Sequence, residues 1–235
     1  MTAALVVVPT YNERDNLPLL VRGVLAHDGF NILVVDDGSP DGTGAVADRL
    51  AAAHPGRIAV MHRTGPRGLG RSYVDGLRHA LRTDAALIFQ MDADLSHNPD
   101  YLPVLAAAAA EYDVVIGSRY LNGVSVVNWP LRRIFLSTFA NRYIKFVTRL
   151  APTDCTSGFR CWRREALARI PLDRVASAGY AFLVEMLYRA ADNGSRIGEV
   201  PIIFVERRQG QSKVSGAVLL ESLATPWRLR LRRRG

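Results

Sequence analysis

Cysteine is nearly missing from this chain: only Cys155 and Cys161 occur in 235 residues. Two thiols are too few for a disulfide framework or a closed zinc site, and reduced thiols point to a cytosolic setting. Long apolar runs are missing too. No stretch approaches the roughly 18 residues that a membrane-spanning helix needs, so membrane contact is expected to be peripheral or through a partner. Met1-Thr2 passes directly into a strand pattern with no charged leader or cleavage site, and no signal peptide is read. The absence of a Walker A sequence argues against a P-loop NTPase. No G-x-S-x-G occurs, and the five histidines are too scattered to complete a Ser-His-Asp trio. No repeat or low-complexity linker divides the chain, so a single domain is expected over residues 1–235.

What is present suits a large α/β domain. Hydrophobic residues make up 49% of the chain, enough for a substantial core. The formal charge of +8 and an isoelectric point of about 10.0 call for an anionic partner. Nucleic acid, an anionic membrane surface and phosphorylated small molecules all fit that balance.

Apolar runs at Leu5–Val8, Ile32–Val35, Ile58–Met61, Ala85–Met91 and Asp113–Ile116 read as buried parallel strands. Helical patterns separate them, including Leu17, Leu20 and Val24 on one face and Leu69, Tyr73, Leu77 and Leu81 on another. This alternation predicts an α/β fold, a mostly parallel doubly wound sheet with helices on both faces. A further helix is read from Tyr180 to Ala191 and a late strand over Ile202–Val205.

Polar clusters recur where the strands end: Tyr11 to Glu13, Asp36-Asp37, Asp92 with Asp94, and Arg119. Ligands bind at the carboxyl edge of such sheets, so four clusters there argue for a site. Asp92 and Asp94 are one residue apart, and in an extended chain such positions face the same side. Two like charges this close need a cation or hydrogen bonds to hold them, and a hard divalent ion carrying a phosphate ligand suits the pair. The plain alternative is that one aspartate caps the next helix and the other is solvated. His97 beside them is expected to be structural. Gly65-Pro66-Arg67-Gly68-Leu69-Gly70 is not a dinucleotide fingerprint; it either approaches phosphate oxygens or only shapes a loop-to-helix turn.

Beyond Arg119 the pattern changes. Residues 129–150 place Leu131, Phe135, Phe139, Tyr143, Phe146 and Leu150 at helical spacing among Arg132, Arg133, Arg142, Lys145 and Arg149. This basic, aromatic helix suits a membrane interface, or else packs on the sheet with its arginines reaching outward. The segment 227–235, rich in arginine, either grips lipid headgroups or is a solvated tail.

Taken in order, the stretches Val8-Pro9-Thr10-Tyr11-Asn12-Glu13, Val34 to Thr43, Met91 to His97, Gly117-Ser118-Arg119-Tyr120, Asp154-Cys155-Thr156-Ser157-Gly158-Phe159-Arg160 and Arg207 to Lys213 resemble the family-2 glycosyltransferases of the GT-A, nucleotide-diphospho-sugar transferase fold. Within them the resemblance is to the polyprenyl (dolichyl) phosphate mannosyltransferases, and it spans roughly residues 5 to 215. It implies inverting transfer of mannose from GDP-mannose to a polyprenyl phosphate in the membrane, with Mg²⁺ or Mn²⁺. A UDP-sugar donor with the same lipid phosphate is the alternative; nucleic acid is not an expected partner. By resemblance Pro9, Tyr11, Glu13, Asp36, Asp37, Arg67 and Gly70 bind the donor, with Arg207 and Lys213 closing over its diphosphate. Asp92 and Asp94 hold the metal, and Arg119, Arg133 and Ser137 grip the acceptor phosphate. Ser96 stands where relatives carry Gln, which suggests a weaker metal ligand. The expected location is cytoplasmic, peripheral on the cytoplasmic face of a membrane, with attachment through the basic helix and tail or a separate transmembrane partner or domain.

Overall fold

A computed structural model describes residues 4–177, 179, 181–206 and 216–232, with side chains described throughout except at 216–222 and 232. Strands β1 (Ala4–Thr10), β2 (Phe30–Asp36), β3 (Ile58–His62), β4 (Leu87–Gln90), β5 (Val114–Ser118), β7 (Arg160–Arg163) and β8 (Ile197–Pro201) form one sheet in the order β3-β2-β1-β4-β7-β5-β8. All neighbours run parallel except β7, which is antiparallel to both β4 and β5. A two-stranded parallel ribbon, β6 (Val126–Val127) with β9 (Phe204–Val205), stands apart from this sheet.

The unbroken apolar runs follow from burial on both faces. Val6, Val8, Ile32, Val34 and Phe89 point into one core beneath α1 (Leu17–Leu25), α2 (Thr43–Ala53) and α4 (Leu102–Ala108). The alternate residues Leu5, Val7, Leu33, Val35 and Ile88 point into a second core. That core lies beneath α3 (Leu69–Ala80), α6 (Arg164–Ala168) and α7 (Ala181–Asp192). Helix α3 sits so close that a Cβ on Gly76 would fall 2.5 Å from Val7 Cγ1 and 2.9 Å from Val35 Cγ2.

Three features differ from the sequence expectation. The compact turn after Asp154 runs into β7, a strand that its short, mixed sequence Arg-Cys-Trp-Arg does not announce. The late strand joined to the main sheet is β8, ahead of the expected Ile202–Val205 run, of which only Phe204–Val205 forms a strand, in the small ribbon. Glycine, glutamate and proline disguise β8 in sequence, and its place at the sheet edge tolerates them. Residues 227–232 of the expected basic tail are the end of a helix: α8 spans Gly216–Arg232 and buries Leu229 in a cluster with Ile144, Val184 and Leu187, while 233–235 lie outside the described residues.

Helix α5 (Leu131–Thr148) occupies the expected 129–150 segment but turns aromatic side chains outward. Ile144 and Val147 are buried, whereas Leu131 is 72%, Phe135 73%, Phe139 64% and Phe146 82% exposed. Exposed Leu223, Trp227 and Leu231 occur on α8, which Tyr143 ties to α5 by donating to the Leu223 carbonyl at 2.8 Å. Among the described residues, no helix is long and apolar enough to cross a membrane.

Candidate active site

The carboxyl ends of β1, β2, β4 and β5 meet at one edge of the sheet, and the polar clusters follow them there. At the end of β2, Asp36 is buried and accepts from Thr10 Oγ1 at 3.2 Å and Ser39 Oγ at 2.6 Å. The Ser39 amide adds a bond at 3.3 Å, so Asp36 acts as the brace of this loop. Asp37 accepts from the Gly68 amide at 2.8 Å and pairs with Arg63. Arg63 also binds Asp75 at 2.8 Å, which ties the second and third loops together. Gly68 reaches that position with φ of 154°, in the region that favours glycine.

Tyr11 accepts a hydrogen bond from Arg67, whose guanidinium also lies 5.0 Å from the Tyr11 ring centre. Glu13 takes the side-chain amide of Asn16 at 2.7 Å. Pro9 is half-buried in β1, and Gly70 is buried in the first turn of α3. Arg207 and Lys213 lie outside the described residues.

Asp92 and Asp94 are half-buried at the end of β4, each held by a neutral donor. The Tyr73 hydroxyl donates to Asp92 Oδ1 at 2.8 Å. Burial first, then Asp92 and the hydrogen bond to it, push the Tyr73 pKa well above its ordinary value, so the phenol stays a donor. Ser96 donates its hydroxyl at 2.5 Å and its amide at 3.1 Å to Asp94 Oδ1. Ser96 thus aims Asp94. Leu95, between them, adopts φ of 63°, which bends the chain sharply enough to close this turn.

His97 is buried, stacks on Phe159 at 5.1 Å and accepts the Asp92 amide at Nδ1 over 3.2 Å. Burial holds its pKa below the usual value despite the aspartates. A neutral ring protonated on Nε2 satisfies that bond, so His97 supports the turn. The Asp154–Arg160 stretch packs on the other side: a Cβ at Gly158 would lie 3.3 Å from Asp92 Oδ2.

Arg119 follows β5 and is buried. Its Nε and Nη2 grip both oxygens of Asp154 at 2.7 and 2.8 Å, and Nη2 also reaches Thr156 at 2.7 Å. Burial opposes both charges, but the pairing prevails: the Asp154 pKa lies below and the Arg119 pKa above its ordinary value. The fork expected to grip a phosphate is thus largely committed to an internal partner. The rings of Tyr120, Trp129 and Phe204 lie 5.4 to 5.6 Å from the Arg119 guanidinium carbon. Arg133 stacks on Trp129 at 4.1 Å and pairs with Glu206, while Ser137 accepts the Tyr120 hydroxyl at 2.7 Å. Arg119, Arg133 and Ser137 do converge, around Trp129 and Tyr120.

Sequence reasoning missed Arg63, Tyr73, Trp129 and the Asp154 partner of Arg119. Tyr73 sits on the apolar face of α3 and reads as core; only its hydroxyl, buried below a carboxylate, reveals another role. Asn141 was equally hidden: it ties α5 to the Asp154 loop by accepting the Cys155 amide at 2.8 Å and donating to Thr156 at 3.1 Å.

Residues 5–170 match the family model of glycosyl transferase family 2. The chain belongs to that family. This glycosyltransferase is 50% identical to the polyprenol monophosphomannose synthase of Mycolicibacterium smegmatis over 93% of its own length and 83% of that protein. It is 44% identical to the undecaprenyl-phosphate mannosyltransferase of Micrococcus luteus, over 98% of its own length and 96% of that protein. Its fold matches glucosyl-3-phosphoglycerate synthase from Mycobacterium tuberculosis, solved with Mn²⁺, UDP and phosphoglyceric acid. There the TM-score is 0.75 at 18% identity, over 97% of this chain and 78% of that one. It also matches the mannosyltransferase PcManGT from Pyrobaculum calidifontis, solved with GDP-Man and Mn²⁺. That TM-score is 0.58 at 20% identity, over 97% and 73% of the two chains. The family-2 glycosyltransferase therefore has GT-A-like neighbours crystallised with a divalent ion.

The residues of this family member fit such an ion. Among the described residues no group of three His, Cys, Asp or Glu forms a protein cage. Hard ions such as Mg²⁺ are typically held by one or two carboxylates together with substrate phosphates and water, which Asp92 and Asp94 at an open strand end allow.

Proposed function

We propose that the chain transfers mannose from GDP-mannose to a polyprenyl phosphate, inverting the anomeric carbon, at the cytoplasmic face of a membrane. The observation that carries this reading is the meeting, on one sheet edge, of the Asp92–Asp94 carboxylates with the Arg119–Trp129–Arg133 cluster. Helix α5 runs from that cluster and exposes Phe135, Phe139 and Phe146. A phosphate on an apolar chain is the acceptor such a neighbourhood suits, since basic charge and exposed aromatic surface together favour an anionic lipid interface. The names of the two relatives above agree with it.

In this reading Tyr11 and Arg67 line the nucleoside end, while Asp37 and Arg63 shape the loop that faces it. Arg207 and Lys213, beyond the described residues, are assigned to the donor diphosphate. Asp92 and Asp94 would hold a divalent ion, which when bound offsets the charge that develops on the departing diphosphate. Tyr73 and Ser96 fix the directions of these carboxylates. An oxygen of the lipid phosphate attacks the anomeric carbon of mannose as the bond from that carbon to the GDP β-phosphate oxygen breaks. The acceptor is largely ionised near neutral pH, so no protein base has to remove a proton. Arg133 and the remaining edge of Arg119 orient it, and Asp154 keeps Arg119 in place.

The test is transfer of labelled mannose from GDP-mannose to undecaprenyl phosphate in detergent micelles, beside UDP-glucose as donor and neutral undecaprenol as acceptor. Labelled lipid is expected only with GDP-mannose and the phosphate, and its formation should stop with EDTA. Transfer from UDP-glucose instead of GDP-mannose reassigns the donor.

A further inference from the structure

Trp129 has an indole Nε1–H that is buried with no hydrogen-bond partner among the described residues. Folding seldom leaves a buried donor unmet, because the lost hydration is not recovered. A phenylalanine would serve the packing equally well: it would offer Arg133 a ring face at the same place and keep the edge contact with Phe204, whose centre is 5.4 Å away. The N–H is therefore unexplained by the described residues.

Its surroundings state what it lacks. The Arg133 guanidinium carbon lies 4.1 Å and that of Arg119 5.6 Å from the indole centre. Arg119 spends Nε and Nη2 on Asp154 and Thr156, and its Nη1 makes no hydrogen bond among the described residues. Helix α5 begins two residues after Trp129, with no acidic residue in its first turn and no side-chain cap, so its amides add partial positive charge. Of the nearby carboxylates, Asp154 and Glu206 are each engaged by an arginine, and Asp92, farther along the edge, takes the Tyr73 hydroxyl. Among the described residues donors outnumber acceptors here, and an anionic oxygen would balance them.

We infer that Trp129 donates its indole N–H to a non-bridging oxygen of the acceptor phosphate, alongside Arg119 and Arg133. This deepens the reading of the previous subsection and rests on it for the identity of the phosphate. The contact makes Trp129 a specificity residue, favouring a phosphorylated lipid over the neutral alcohol of the same chain.

The experiment replaces Trp129 by Phe and, separately, by benzothienylalanine, an isostere with sulfur in place of the N–H. In the full chain, the KM for undecaprenyl phosphate should rise roughly tenfold in both variants, the scale of one hydrogen bond to a charged group. The KM for GDP-mannose should stay within about twofold, and the thermal midpoint should not fall. An unchanged KM for the lipid phosphate in either folded variant overturns the contact, as does an equal rise of both KM values. Calorimetric titration with farnesyl phosphate reads the same contact without turnover. If the wild type binds that phosphate about tenfold more tightly than both variants yet transfers no mannose, the function reading fails and the Trp129 contact stands. Equal affinities overturn the contact.

Discussion

The two halves of the site differ in how much of their bracing is local. On the donor side, two of the four aspartates have a close brace in sequence: Ser39 holds Asp36 from three positions away, and Ser96 holds Asp94 from two. On the acceptor side, cations are oriented by distant partners, Arg119 by Asp154 across 35 positions and Arg133 by Glu206 across 73. Two donor-side loops thus carry bracing of their own, while Asp37 and Asp92 are held by Arg63, Gly68 and Tyr73 from the next elements. The acceptor side exists only once β5, α5 and the Asp154 loop have come together. Arg119 joins them, close enough to Asp92 for their charges to interact.

Changes at four places test this contrast. The largest effect is expected at the donor side, where Asp94→Ala should lower mannose transfer by about a thousandfold, the scale of losing a group that stabilises developing charge. Because Asp94 is braced locally, the thermal midpoint should barely move; a large drop would show that the turn supports the fold.

Arg119→Ala should have the opposite signature, losing stability as well as activity. It strands a buried Asp154 carboxylate, so chemical denaturation should report a loss of about 3–5 kcal/mol. The pH dependence follows from the same pair. Because the folded Asp154 pKa lies below its ordinary value, its contribution is complete above the usual carboxylate pKa and fades as pH falls through the folded one. The wild-type midpoint should therefore drop on acidification below about pH 4, and Asp154→Asn should flatten that slope.

The third change is at the lipid side. Replacing Phe135, Phe139 and Phe146 together by Ser removes aromatic surface that the fold does not use. Binding to vesicles containing anionic lipid should weaken by at least about a hundredfold, with unchanged thermal stability, since even one fully buried Phe side chain contributes about 1.5–3 kcal/mol and three are removed. Equal vesicle binding would move the membrane contact off α5.

The smallest effect is expected from Glu206→Gln, which releases the half-buried Arg133 from its pairing. Affinity for the lipid phosphate should rise by about two- to fivefold, in keeping with the modest strength of partly exposed ion pairs. A fall would mean that Glu206 positions Arg133 instead of competing for it.

The same contrast explains what could be read in advance. Strands β1 to β5 were legible because burial on both faces imposes continuous apolar runs, and the local braces left their marks as Asp-Asp-Gly-Ser and Asp-Ala-Asp-Leu-Ser. Strand β7 and edge strand β8 were not, since neither carries such a run. Helix α5 was placed correctly, but its spacing could not say which side faced outward, because apolar residues occur around much of its circumference. That was settled by Ile144 and Val147 packing inward while Phe135 and Phe146 did not.

By itself, the sequence determined the parallel sheet, the edge on which its polar loops gather and the chemical character of each loop, because these depend on periodicity and on residues a few positions apart. Only the tertiary structure decided what those residues do once assembled. Asp36 became a brace, Ser96 an aiming group for Asp94, Tyr73 a donor to Asp92, and Arg119 the partner of a buried Asp154. Each of these outcomes depends on which polar atoms burial leaves to satisfy one another, and for Tyr73 and Arg119 those atoms come from distant parts of the chain.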